Sequence, residues 1–394
     1  MGEKKKYHLY MIAGEPSGDF HGASLIRELQ NFSTAEWSFE GLGGPEMAKN
    51  GMKLHFPLAD YPIMGIGEVF RHFPTISRIY LQTLRQLRNQ PPSALVLIDY
   101  PGFNLRVAAK AKKMGIPVIY YISPQIWAWW KSRIKRLPQK VDKMLVILPF
   151  EEDLFRNAGI DAEYVGHPTF DHLASQDFSQ NIPLPIQEAK KGKLISLLPG
   201  SRSKEIELNL PIMLEVAKEL SSQSPEFTFL IGTINEEKKN LIEKICRDRG
   251  FTPPILVGKT HYLMAHSYFA FVTSGTASLE LTYFQTPMLV HYRVDRWMAA
   301  LGKIILSTPY FSLPNILAGR EIVPEILSVS EDWKKVLERA LPLLKDGEER
   351  EKAVSDLKEV CQLLSKKKGA SRNAAQGIYR FLEFHSQDSN SKGQ

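Results

Sequence analysis

The chain has 394 residues, of which 43% are hydrophobic and 24% charged, proportions that exclude a largely disordered polymer and leave room for two domains with separate cores. Its 50 Lys and Arg against 43 Asp and Glu give a net charge of +7, which favours anionic partners such as phosphates, nucleic acid or an anionic membrane face without choosing among them. Cys246 and Cys361 lack C-x-x-C or zinc-like spacing, so no disulfide framework is expected and the reducing cytoplasm is the expected compartment. The apolar run at the N-terminus is too short for a secretory signal, and no stretch long enough to span a bilayer occurs.

Tyr7 to Ala13 reads as a first strand, and Gly14-Glu15-Pro16-Ser17-Gly18-Asp19 as the loop before a helix reaching Leu29. The glycines fit neither G-x-G-x-x-G nor a P-loop. Short βα loops lie where open α/β sheets bind ligands, which makes Glu15, Ser17, Gly18 and Asp19 candidate substrate contacts; the alternative is a tight turn. Phe39 to Gly44 suits a second strand, and Met64 to Phe70 is an apolar, glycine-punctuated segment ahead of a basic helix. Ala94 to Ile98 is a near-continuous apolar strand ending at Asp99, followed by Tyr100-Pro101-Gly102-Phe103-Asn104 and a helix over Leu105 to Met114. Asp99 thus stands at a strand's carboxyl end, where a carboxylate can accept a proton from a substrate hydroxyl. Asn104 is expected to cap the helix.

Pro117 to Ile122 gives another buried strand. Ser123 to Trp130 then gathers Trp127, Trp129 and Trp130 ahead of the basic residues Lys131, Arg133, Lys135, Arg136, Lys140 and Lys143. Aromatic and basic residues together suit an anionic lipid interface or the stacked bases of single-stranded nucleic acid; the alternative is core tryptophans beside a solvated helix face. Met144 to Pro149 is a further strand, and Glu151, Glu152 and Asp153 read as structural acids at a helix N-terminus. Val165 to Pro168, with His167 as a turn residue, closes the first half, and Asp171 to Lys193 reads as a linker.

The second half repeats the alternation. Leu194 to Leu198 suits a strand buried on both faces, stopped by Pro199-Gly200-Ser201, with Arg202 and Lys204 just beyond. A helix starting there aims backbone N–H groups at a ligand while Arg202 offers a fork to phosphate oxygens; the alternative is an ordinary turn with a solvated arginine. Strands over Phe227 to Ile231, Ile255 to Val257 and Tyr268 to Val272 follow, with a helix over Asn235 to Arg249 between the first two. Thr273-Ser274-Gly275-Thr276 is a hydroxyl-rich turn before a helix carrying Glu280, which shares a face with Thr276. Ser274, Gly275 and Thr276 suit phosphate and Glu280 suits ribose hydroxyls, the alternative being a simple N-cap. Pro287 to Tyr292 is the next strand, Ser312 to Asn315 a loop, and Ser330 onward helices ending near Phe384.

Taken together, GEPSGD at 14–19, MGIGEV at 64–69, DYPGFN at 99–104, SPQIWAWW at 123–130, LPFE at 148–151, GHP at 166–168, LLPGSRSKEI at 197–206, SGTASLE at 274–280 and SLPN at 312–315 resemble the lipid-A-disaccharide synthase family, in that family's order, over residues 7–384. The resemblance implies an α/β fold of GT-B type, two Rossmann-like domains facing a cleft. Residues 1–170 would form the acceptor- and membrane-facing domain, 171–193 a linker, 194–365 the UDP-sugar domain, and 366–394 a C-terminal helix returning toward the first domain with a frayed tail. It implies inverting transfer from UDP-2,3-diacylglucosamine to 2,3-diacylglucosamine 1-phosphate (lipid X), with release of UDP.

In that scheme Asp99 deprotonates the acceptor's 6-hydroxyl, and Arg202 with the turn N–H groups around Gly200, Ser201 and Ser274 to Thr276 balances the leaving diphosphate. Glu280 holds the ribose; Glu205 and Asn315 are carried over as site residues by motif alone. No D-x-D pair occurs, so neither metal nor cofactor is expected. The partners implied are the two lipid substrates and the anionic cytoplasmic face of the inner membrane, touched peripherally, with no nucleic acid and with a homo-oligomer left open. Pro16 stands where the family has a small residue, His21 where it has an apolar one, and Ser328 where it often has Gln, which bears on local acyl-chain or nucleotide fit.

Two rival readings differ in class. A UDP-sugar 2-epimerase shares the two-domain form but needs additional acids and bases around the sugar. A non-catalytic binder of anionic lipid or nucleic acid, built on residues 131–143, would bind in a salt-sensitive way and show no affinity for UDP.

Overall fold

The computed structural model describes residues 4–32, 34–60, 66–125, 127, 134–294 and 309–391, with the backbone alone for 66–73 and 386–391. Met64 and Gly65 of the glycine-punctuated segment, and Trp129, Trp130, Lys131 and Arg133 of the aromatic–basic stretch, lie outside the described residues. The chain divides into two compact units, residues 1–168 with 366–394, and residues 169–365. Both are α/β, each built on one parallel sheet.

The sheet of the first unit has seven strands: β1 (Lys5–Ala13), β2 (Ala35–Leu42), β3 (Met52–Phe56), β4 (Ala94–Ile98), β5 (Val118–Tyr121), β6 (Lys143–Val146) and β7 (Asp161–Tyr164). Their order is β3-β2-β1-β4-β5-β6-β7. Every residue of β4 and β5 is buried, as an uninterrupted apolar run covered on both faces requires. The helices α1 (Pro16–Gln30), α2 (Pro45–Lys49), α3 (Ile66–Asn89), α4 (Pro101–Lys113) and α5 (Pro149–Arg156) connect them. Four of the five begin with proline at the first helical turn, where the missing N–H costs nothing.

The second unit opens with α6 (Pro168–Ala174) and α7 (Leu184–Ala189). The stretch 171–193, expected as a linker, is therefore partly helical, and Ile186 and Ala189, one turn apart, are buried with Leu194 and Leu230. Its six strands are β8 (Lys193–Leu198), β9 (Phe227–Thr233), β10 (Ile255–Val257), β11 (Phe269–Val272), β12 (Met288–Arg293) and β13 (Glu325–Ser328), in the order β10-β9-β8-β11-β12-β13. Around them lie α8 (Ser203–Gln223), α9 (Glu236–Arg249), α10 (Thr260–His266), α11 (Thr276–Tyr283), α12 (Leu313–Ala318), α13 (Trp333–Leu344) and α14 (Glu348–Ser365).

The last helix, α15 (Ala370–Ser391), belongs to the first unit, where it packs along α1 and gives Ala374, Ala375, Ile378, Phe381 and Leu382 to the core. Glu383 accepts from Lys5 Nζ at 2.9 Å and from the Tyr7 hydroxyl at 2.6 Å, tying this helix to β1. No helix among the described residues is long and apolar enough to cross a membrane.

Strand order reverses between β1 and β4 in the first sheet and between β8 and β11 in the second. Open parallel sheets bind ligands outside the carboxyl ends of the strands at such reversals, because the loops on either side diverge and leave a crevice. The four loops concerned are 14–15, 99–100, 199–202 and 273–275.

Candidate active site

At the first reversal, Asp99 and Tyr100 both take left-handed backbone, with φ of 45° and 48°. Non-glycine residues adopt this conformation at a cost of roughly 1–3 kcal/mol each, so the surroundings must hold it. They do so through the Asp99 carbonyl, which accepts from Asn104 Nδ2 at 2.7 Å and from the Tyr120 hydroxyl at 2.5 Å. Asn104 Nδ2 also reaches the Ile98 carbonyl at 3.2 Å. Asn104 is therefore not the helix cap expected of it: α4 starts three residues earlier at Pro101, and the fully buried amide clamps the end of β4 instead.

This turn presents the Asp99 carboxyl at the edge of the sheet. Burial first, and then the negative charge of Glu15 nearby, push it up to about 6. A base titrating there combines useful ionised fraction with more proton affinity than an ordinary aspartate. Glu15 is the N-cap of α1, half-buried, and the ring of Tyr100 lies so close to Gly14 that a Cβ would come within 2.2 Å of its Cδ1. The two loops thus form one surface carrying two carboxylates.

The remaining residues of the first motif play other parts. Ser17 is exposed in the first turn of α1, whereas Gly18 is buried, and a Cβ there would face Ala13 and Ile98. Asp19, 3% exposed, accepts from the backbone N–H of Gly44 and Met47 on Oδ1 and of Glu46 on Oδ2, each at 2.9 Å. The expected substrate contact is corrected accordingly: Asp19 satisfies the start of α2, whose first N–H groups have no partner within the helix.

Glu151 of α5 is likewise buried. Its Oε1 accepts from Ser123 Oγ at 2.6 Å and Trp127 Nε1 at 2.9 Å, while Oε2 accepts from the Leu148 N–H at 3.2 Å. Burial pushes its carboxyl up to about 7 despite these donors. Trp127 is consequently a core residue, not an interfacial one. Lys143, counted in the basic run, is 6% exposed and pairs with Asp161 at 2.9 Å and Glu163 at 3.5 Å. His167 is buried, and the loss of water with His21 nearby pushes its imidazole down to about 3, so it stays neutral.

At the second reversal, the turn after β8 and the turn after β11 touch. Gly200 has φ of 109°, and a Cβ there would lie 2.7 Å from Glu205 Oε2 and 3.2 Å from Thr273 Oγ1. Only glycine meets both demands. Glu205 folds back on the turn: Oε2 accepts from the N–H groups of Ser201 and Arg202 at 3.3 Å, and Oε1 lies 3.2 Å from Arg202 Nη1. The carried-over residue Glu205 thus braces the turn and the guanidinium. Ser201 and Arg202 are exposed.

The start of α11 differs, because its N-cap Gly275 provides no side-chain cap and Gly275 and Thr276 are exposed. The simple N-cap alternative is not what forms. Ser274 Oγ donates instead to the Phe311 carbonyl at 3.1 Å, drawing the 311–315 loop alongside. Backbone N–H groups at an uncapped start, next to an arginine-bearing turn, are suited to an anion. On α11, Glu280 is half-buried with Oε2 3.5 Å from His261 Nε2, and it lies one turn in from this start.

Asn315 is the second correction. It is fully buried, its Oδ1 accepts from the N–H groups of Ile322 and Val323, and its Nδ2 donates to the Val323 carbonyl and Glu325 Oε2. All four amide hydrogen-bonding positions are occupied by protein, so it shapes the loop rather than contacting substrate. Two residues near the second reversal had no signal in the sequence: His261 beside Glu280, and Lys238 beside Ser203. Tertiary packing, not local spacing, brings them in. Among the described residues no group of three or more His, Cys, Asp or Glu is placed to hold a metal ion.

Residues 9–378 match the family described as lipid-A-disaccharide synthetase. A lipid-A-disaccharide synthase from Myxococcus xanthus (strain DK1622) is 36% identical over 374 residues, 95% of this chain and 97% of the relative. One from Idiomarina loihiensis (strain ATCC BAA-735 / DSM 15497 / L2-TR) is 34% identical over 386 residues, 97% and 100% of the two chains. Among solved structures, UDP-GlcNAc 2-epimerase from Neisseria meningitidis bound to UDP-GlcNAc superposes with a TM-score of 0.62 at 14% identity, covering 95% of this chain and 100% of the other. The calicheamicin glycosyltransferase gives 0.60 at 13%, covering 96% and 98%. At those identities the two structures speak to the GT-B type fold alone.

Proposed function

The chain belongs to the lipid-A-disaccharide synthase family, glycosyltransferases of lipid A biosynthesis, and from that membership we propose that it joins UDP-2,3-diacylglucosamine to 2,3-diacylglucosamine 1-phosphate with Asp99 as the base. The Asp99 carboxylate takes the proton of the acceptor's 6-hydroxyl as that oxygen's electron pair bonds to the anomeric carbon of the donor. The bond from that carbon to the diphosphate breaks, its pair leaving on the β-phosphate oxygen as UDP. Attack opposite the leaving group inverts the anomeric centre.

Arg202 and the N–H groups at the start of α11 offset the charge that develops on the diphosphate, the kind of fixed, preorganised stabilisation that contributes most when water is excluded. Glu280 accepts from the ribose hydroxyls. The first unit takes the acceptor and faces the cytoplasmic leaflet of the inner membrane, to which a net charge of +7 and acyl-bearing substrates both draw the protein. The observation that carries this reading is Asp99 itself, a carboxyl held in left-handed backbone at a sheet reversal and pushed up to about 6.

The test is UDP release with and without the monosaccharide 1-phosphate, for the wild type, Asp99→Ala and Arg202→Ala. Release should depend on the acceptor and fall by about 10²–10⁴ in Asp99→Ala, with UDP binding retained there and weakened in Arg202→Ala. Folded wild type that releases no UDP in the presence of acceptor would refute the assignment.

A further inference from the structure

We propose that His261 is a positioning residue for the donor's ribose: held in place by the segment 169–178, it orients the Glu280 carboxylate and so sets a preference for a ribonucleotide. The inference rests on the reading of Glu280 above and adds to it a residue and a stretch of chain that neither the motifs nor their spacing single out.

The Glu280 side chain is only 18% exposed, and its one ion pair among the described residues is with His261, Oε2 to Nε2 at 3.5 Å. Among those residues neither of its carboxylate oxygens accepts a hydrogen bond. A carboxylate that has lost much of its water and has no donor from the fold keeps its acceptor positions for a ligand. Two neighbouring hydroxyls, as on ribose, supply donors of that kind. The 3.5 Å contact is at the long limit of hydrogen bonding, so it orients the carboxylate without using up those positions.

His261 is in turn held by a part of the chain that reads as a linker. Its ring meets that of His172 at 6.2 Å between centroids and that of Phe178 at 6.3 Å, both edge-on. Phe178 also packs against Tyr262 at 5.3 Å and Phe284 at 5.1 Å, and its carbonyl accepts from His266 Nε2 at 2.9 Å. Phe170 meets Tyr283 edge-on at 5.4 Å. The segment is thus pinned both to α10, which carries His261, and to α11, which carries Glu280. Burial and the neighbouring His261 push the His172 imidazole down while Glu280 draws it up, so both imidazoles stand around the one carboxylate. A glutamate free to rotate must be frozen when a ligand binds, whereas one already guided by a fixed ring has lost that freedom beforehand.

The experiment measures binding of UDP and of 2′,3′-dideoxy-UDP by calorimetry on the full-length wild type, His261→Phe, Glu280→Gln and the double variant. Phenylalanine keeps a ring against His172 and Phe178 and removes the nitrogens. Wild type should prefer UDP. His261→Phe should weaken UDP by about three- to tenfold, the range of one net hydrogen bond, and leave dideoxy-UDP unchanged, which also shows that the variant is folded. Adding His261→Phe to Glu280→Gln should cost nothing further, because its effect runs through the carboxylate. A His261→Phe change that weakens both nucleotides equally, or neither, or whose loss adds to that of Glu280→Gln, would overturn the role of His261. A Glu280→Gln variant that keeps the wild-type preference for UDP would overturn the ribose reading itself, so the two failures are distinguishable.

Discussion

The side-chain amide of Asn104 donates to the main-chain carbonyl of Asp99 at 2.7 Å, so the residue five positions after the proposed base fixes the backbone that carries it. The same amide holds the Ile98 carbonyl, and the Tyr120 hydroxyl supports the turn from β5. Strained backbone persists only where such contacts over-determine it. Replacing Asn104 by Leu removes both donations and leaves carbonyls short of partners. Stability should fall by about 1–3 kcal/mol, and kcat should fall more than KM rises, because Asp99 relaxes out of position while the rest of the acceptor surface remains. Thermal unfolding and steady-state kinetics on the same sample check this; a lower melting temperature with unchanged kcat would show that the clamp is only structural.

The pH dependence of Asp99 has a defined sign. Its folded-state pKa is raised from the ordinary 3.8 to about 6. Between those values the native state holds a proton that the unfolded state has released, so this group's contribution to stability is fully present below pH 4 and is lost as pH rises through about 6. Activity runs the other way, since the base must be ionised: kcat/KM should fall on the acid side of about pH 6. The Glu15 carboxylate is the second cause of the shift, and Glu15→Gln should move that acid limb to lower pH with little change in the plateau. pH–rate profiles of the two proteins make the comparison. An unmoved limb would mean that Glu15 does not set the titration of Asp99.

Residues whose position follows from strand ends were legible in the sequence. The apolar run Ala94 to Ile98 ends where β4 ends, which put Asp99 at the carboxyl edge, and Leu194 to Leu198 did the same for Gly200 to Arg202. Parallel strands buried on both faces announce their length, and the breaker residues announce the turn. Asp19 and Asn315 were misread because a polar residue in a glycine- or proline-bearing loop looks alike whether it faces a ligand or a distant backbone. The partners that decide it, Gly44 to Met47 for Asp19 and Ile322 to Glu325 for Asn315, meet them only through tertiary folding. His261 was hidden for the same reason: nothing in its own stretch marks it, and only tertiary packing brings it to Glu280.

Glu151 carries a prediction about stability rather than chemistry. Burial raises its carboxyl from the ordinary 4.5 to about 7 even though Ser123, Trp127 and Leu148 donate to it. Desolvation of the charged form outweighs these hydrogen bonds. From pH 4.5 to 7 the native state retains the proton and the unfolded chain does not, so unfolding free energy declines with rising pH across this window, by up to about 3 kcal/mol if the whole shift is realised. Glu151→Gln cannot ionise. Its amide oxygen can still accept from Ser123 and Trp127, while its NH2 group meets the Leu148 N–H, so the variant should lose some stability at pH 4.5 and little more above it. Urea midpoints at pH 5 and pH 8 should therefore converge for wild type and Glu151→Gln, or cross, as pH rises. Parallel curves would show that Glu151 is already ionised in the native core near pH 5, with its three donors outweighing its burial.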